Sequence, residues 1–78
     1  MVNDIELIDD CFNKKGIIPP NSLFTGGMNL IEVDQCLDVV SDILISEGFM
    51  EDDEPNAYGL ILEDVIDFLL NIRYSIVD

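Results

Sequence analysis

The apolar pattern between residues 30 and 47 constrains the fold more than any other feature of the chain. Hydrophobic side chains recur there every three or four residues, which is the period of an α-helix with one buried face. Asn29 and Glu32 form a capping-box pattern at its start, and Gly48 supplies a stop at its end. The sequence therefore predicts a helix over about 30–47, with Val40 fully buried at its centre. The predicted buried face comprises Val33, Cys36, Leu37, Val40, Ile43 and Leu44.

Two further segments have the same period. The first covers about 4–15, where Asn3 and Glu6 repeat the capping-box pattern and Gly16 follows as a stop. The other covers about 59–73, and the tail "RYSIVD" either prolongs that helix or forms a short strand. The inward positions of these two helices are predicted to be Ile5, Ile8, Cys11, Phe12, Leu62, Val65, Ile66, Leu69 and Ile72.

The linker "GIIPPNSLFTGG" between the first two helices interrupts the helical pattern. Pro19-Pro20 removes two backbone donors, and Gly26-Gly27 is a poor helix interior. The linker is nevertheless rich in apolar side chains, so we expect it to pack across the helices, with a short helical turn around 22–24. The predicted fold is all-α, a small three- to four-helix bundle with this Pro/Gly-containing linker packed across it. With 78 residues, of which 49% are hydrophobic, the chain is predicted to be a single ordered domain, 1–78.

The net charge of the chain limits the kinds of molecule that it can bind. Seventeen Asp and Glu against three Lys and Arg give a formal net charge of −14, which repels nucleic acid and anionic membranes and attracts basic molecules. The first residues lack the basic and apolar regions of a signal peptide, and no apolar run is long enough to span a bilayer. Two cysteines are too few for a disulfide scaffold. We therefore expect a cytoplasmic protein that binds neither nucleic acid nor membrane directly.

The residue types needed for catalysis are largely missing. Without histidine, neither a Ser-His nor a Cys-His nucleophile pair can form, and no glycine-rich phosphate loop precedes a lysine. The acidic run 51–54 ("EDDE") concentrates carboxylates but lacks the alternating spacing and the glycine of a calcium loop. The sequence predicts a protein that is not an enzyme and that uses no metal or cofactor.

Asp34, Asp38 and Asp42 lie four residues apart on the exposed face of the predicted helix, with no lysine or arginine between them. Like charges at this spacing cost about 0.2–0.5 kcal/mol per pair in an isolated helix, and ordinary surfaces intersperse both signs. One interpretation is a solvated, solubilising surface. The other is a surface whose cations come from a basic protein partner, such as a nuclease or a nucleic-acid-binding protein. For that partner, the predicted contact residues are Asp34, Asp38, Asp42, Glu51, Asp52, Asp53, Glu54, Tyr58, Glu63 and Asp67, with Tyr58 as an apolar anchor.

Part of the chain resembles acyl and peptidyl carrier proteins, which are acidic helical bundles of similar length. The stretch "LFTGGMNLIEVDQCL" is similar to the entry to their second helix, and "EDVIDFLLN" is similar to their last helix. The resemblance covers about half of the chain and implies a carrier-like domain that docks on basic patches of partner enzymes. Asn29 stands where carriers have the serine that holds phosphopantetheine, and Met28 replaces the preceding aspartate. A carrier-like domain without phosphopantetheine is therefore the alternative function.

The charge distribution also resembles small acidic inhibitors, namely the four-helix immunity proteins of nuclease colicins and phage-encoded nucleic-acid mimics. Immunity proteins have acidic helix faces and an Asp-rich loop before the last helix, as "EDDEP" is here. Near that loop they carry paired tyrosines, where this chain has only Tyr58. This resemblance implies an inhibitor that occupies a basic groove.

The C-terminal stretch "DFLLNIRYSIV" has more apolar residues than one helix face can bury. A further cover is needed for Phe68, Leu70, Tyr74, Ile76 and Val77, and the linker, a second copy of the chain or a second contact surface on the partner could supply it. A homodimer is therefore an alternative to a monomer.

Overall fold

The computed structural model describes residues 4–48, 54 and 56–77. Within this part of the chain four helices follow one another: α1 (Asp4–Lys15), α2 (Ser22–Thr25), α3 (Leu30–Glu47) and α4 (Ala57–Val77). No strand occurs in these ranges, so the all-α bundle is confirmed. Helices α1 and α3 have the predicted bounds, whereas α4 begins two residues earlier and continues through the tail.

The core lies where α1 packs across α3 and α4, which contact each other along their length. Val40 is fully buried at the centre of α3, as predicted. Val39 is buried as well, although the pattern did not place it inward, while Leu37 and Leu44 are only half-buried. The buried residues are Ile8, Cys11, Phe12, Leu23, Met28, Val33, Cys36, Val39, Val40, Ile43, Leu62, Val65 and Leu69.

Local signals fix the helix ends. Gly16 has φ +70°, and the amide of Ile17 donates to the Phe12 carbonyl at 3.0 Å, which closes α1 in a Schellman-type turn. The predicted capping box at the start of α3 is present, because Asn29 Oδ1 accepts from the Glu32 amide and Glu32 Oε1 accepts from the Asn29 amide. The predicted Asn3 cap of α1 lies outside the described residues.

Helices α3 and α4 meet in a tight corner at Gly48 and Gly59. Asn56 holds this corner: its Oδ1 accepts from the Gly59 amide at 2.7 Å, which caps α4. Its Nδ2 donates to the Glu47 carbonyl at 3.0 Å, and its backbone amide donates to the Gly48 carbonyl at 2.9 Å. The end of α3 and the start of α4 are therefore joined through one side chain.

The apolar residues of the linker take different positions. Leu23 on α2 is buried in the core, whereas Ile18 is 88% exposed and Phe24 is also exposed. At the C-terminal end, Phe68 packs against the core, but Tyr74 and Ile76 remain exposed. The short helical turn expected in the linker is thus present as α2. The linker does not cover all of the apolar residues at the C-terminal end, since Tyr74 and Ile76 stay exposed. No helix among the described residues combines the length and the apolar character needed to cross a bilayer.

Candidate functional site

All three cations of the chain form ion pairs with carboxylates of α3. Arg73 Nε lies 2.9 Å from Asp34 Oδ1, Lys14 Nζ lies 2.9 Å from Glu47 Oε1, and Lys15 pairs with Asp42. Two of the three aspartates that lie four residues apart are therefore compensated, contrary to what the spacing along α3 suggested. The compensating cations come from α1 and α4, so the pattern within α3 could not reveal them.

Asp38 occupies the middle of the outward side of α3. It is exposed and has no ion pair or hydrogen bond within the described part of the chain. Ile31 and Ile45, seven residues before and after it, lie on the same side and are 80% and 72% exposed. The outward side of α3 thus has an unpaired carboxylate between two exposed isoleucines.

Helix α4 repeats this arrangement. Asp67 is exposed between Leu60 and Tyr74, which are seven residues away on either side and are themselves exposed. Glu63, one turn before Asp67, is also exposed. Neither acid has an ion-pair partner among the residues that the structure describes.

The two outward sides belong to neighbouring helices. Gly48 meets Asn56 at one end of the α3–α4 pair and Asp34 meets Arg73 at the other, so the helices run antiparallel. On each helix the outward side lies opposite the buried positions of that helix. Ile45 and Leu60 lie toward the Gly48 end of the helix pair, and Ile31 and Tyr74 toward the other end. We call the two outward sides together the outer face, made of Ile31, Asp38, Ile45, Leu60, Glu63, Asp67 and Tyr74.

Tyr58 lies elsewhere, near the end of α1. Lys14 Nζ donates to the Tyr58 hydroxyl at 3.2 Å and sits 4.5 Å from the centre of its ring. The ion pair with Glu47, followed by the Tyr58 contact, raises the pKa of Lys14, while burial raises the pKa of the Tyr58 hydroxyl. Tyr58 is half-buried and packs against the core. Its role as an anchor for a partner stays a prediction.

The other predicted contact residues are distributed around the outer face. Asp34 and Asp42 flank its α3 side, and each carboxylate is about half exposed beside its own cation. Glu54 is exposed in the segment before α4, and Glu51, Asp52 and Asp53 lie outside the described residues. The predicted contact residues did not include the exposed Ile31, Ile45, Leu60 and Tyr74, although their seven-residue spacing around Asp38 and Asp67 is readable from the sequence.

The positions that carry the carrier-protein resemblance have other roles here. Asn29, at the position of the carrier serine, caps α3 through its side chain, and Ser22, the nearest serine in the chain, has its Oγ withdrawn from solvent at the start of α2. Neither position presents an accessible hydroxyl to a modifying enzyme. No group of three or more metal-ligating side chains occurs within the described ranges.

Comparison with protein families, with curated proteins and with solved structures finds no match to the chain. The assignment of a function therefore depends on the surface itself.

Proposed function

We propose that the chain is a binding protein whose outer face docks on a basic surface of another protein. The partner class is a nuclease or another nucleic-acid-binding protein, whose groove the carboxylates would occupy in place of nucleic acid. The observation that carries the proposal is the unpaired acids Asp38, Glu63 and Asp67 lying between exposed apolar side chains on both helices.

The mixture of charges and apolar groups favours binding over simple solvation. A purely solubilising face needs carboxylates only, whereas protein interfaces obtain most of their affinity from a few large apolar or aromatic anchors. Single exposed hydrophobic residues are ordinary, but here they flank an aspartate at the same spacing on two adjacent helices. The carboxylates would accelerate and orient the encounter, and the apolar ends would hold the complex.

The intramolecular ion pairs do not remove Asp34 and Asp42 from such an interface. Both side chains are about half exposed, and exposed ion pairs contribute at most about 1 kcal/mol. Arginines or lysines of a basic groove could therefore replace Arg73 and Lys15 at little cost. This exchange would recruit the flanks of the outer face once a partner is bound.

The test is a pull-down from the source cell with two variants of equal charge. Asp38→Asn with Asp67→Asn removes the central carboxylates, and Asp9→Asn with Asp10→Asn removes two charges from α1. Because Asp38 and Asp67 have no partners within the described chain, their replacement should leave the fold intact. We expect a basic nucleic-acid-binding protein to be captured by the parent chain and the α1 variant, to be lost with the outer-face variant, and to be displaced by added DNA.

Equal loss of capture in both variants would show that net charge alone is responsible and would contradict the proposal. A second comparison tests the apolar ends. Ile45→Ser with Tyr74→Ser should weaken capture, whereas Ile18→Ser with Phe24→Ser, which removes exposed apolar groups from the linker, should not. Capture that survives both outer-face variants would place the interface elsewhere.

A further inference from the structure

We draw no further inference here: the strongest candidate, the apolar pocket between α2, the N-terminal part of α1 and the C-terminal half of α4 (a cavity of about 200 Å³), carries none because nothing in the structure shows what occupies or covers it.

Discussion

A pair of glycines lies near each end of α3, and the two pairs differ in how closely other atoms pack against them. Beyond its C-terminus, Gly48 packs against Gly59, and a Cβ added to Gly59 would lie 2.0 Å from the Gly48 carbonyl oxygen. Before its N-terminus, Gly26 and Gly27 have nothing within 4 Å of an added Cβ. The first pair packs α3 against α4 backbone to backbone, and the second borders a pocket that Leu23, Met28 and Phe68 also line.

The physical reason for glycine differs between the two ends. Gly48 has an ordinary φ of −94°, so its neighbours, and not its backbone angle, exclude a side chain there. Gly26 and Gly27 have positive φ angles, so the backbone excludes a side chain although space is available. Close packing thus requires glycine at one end, whereas the backbone conformation favours it at the other.

The largest effect should follow Gly59→Ala. The new Cβ cannot fit beside the Gly48 carbonyl without moving α3 or α4, and overpacking of this kind costs roughly 1–3 kcal/mol or more. We expect the upper end of that range, because the clash is with backbone and not with a flexible side chain. Urea unfolding followed by circular dichroism measures it.

Gly27→Ala is the matched control at the open end. It meets no atom, and its cost is the left-handed backbone strain of about 1–2 kcal/mol. If Gly27→Ala destabilised the chain as much as Gly59→Ala, the contrast between a closed corner and an open rim would be wrong. If Gly59→Ala were neutral, the two helices would not be in backbone contact.

Raising the pH from about 9 to about 11 should lower the free energy of unfolding by about 2–3 kcal/mol. Burial, followed by the charge of Glu32, raises the pKa of the Cys36 thiol from 9.0 to about 11. The unfolded thiol therefore loses its proton first, so stability is complete below about pH 9 and declines until about pH 11. Raised pKa values of Cys11, Tyr58 and Lys14 act in the same direction.

Cys36 lies near the Gly26-Gly27 end of the molecule, and Cys11 lies near the Gly48-Gly59 corner. Cys36 Sγ lies 3.8 Å from the sulfur of Met28, which lines the cavity, whereas Tyr58 and Lys14 near the corner partly offset the effect of burial on Cys11. We expect Cys36→Ala to flatten the decline between about pH 9 and 11 more than Cys11→Ala does, each compared with its own stability at neutral pH. The reverse order would show that the cavity end admits water to Cys36.

The sequence predicted the helices well because the apolar period and the capping residues that define a helix lie within the helix or next to it. The bounds of α1 and α3, the capping box at Asn29 and the burial of Val40 all follow from period and end residues. Helix α4 starts at Ala57 and not near 59 because Asn56 caps it. The sequence did not decide whether the tail is helix or strand, because a short apolar run fits both.

Features that join distant segments could not be predicted. Gly48 was expected to end α3, but nothing near it in sequence indicates that Gly59 packs against it. Arg73 and Asp34 are 39 residues apart, so only the antiparallel packing of α3 and α4 shows that they form a pair. The acidic character of the candidate site was predictable from composition, whereas which carboxylates remain unpaired was not.

The smallest effect, a difference of about 0.5–1.5 kcal/mol, is expected between the two asparagines that cap α3 and α4. Asn29→Ala removes a capping box from the start of α3 and should cost about 1 kcal/mol. Asn56→Ala removes the cap of α4 and also the hydrogen bond from Nδ2 to the Glu47 carbonyl, so its cost should be larger by about 0.5–1.5 kcal/mol. Thermal and urea unfolding of both variants measure this difference.

Replacement by aspartate separates the two functions of these side chains. Aspartate keeps the acceptor that caps a helix but has no amide donor. Asn29→Asp should therefore be nearly neutral, because Asn29 uses its side chain only as an acceptor in the capping box. Asn56→Asp should lose the bond to the Glu47 carbonyl and place a carboxylate beside that oxygen, which costs about 1 kcal/mol or more. If both aspartate variants kept the stability of the parent, Asn56 would be an ordinary cap, and the closed corner would depend on the two glycines alone.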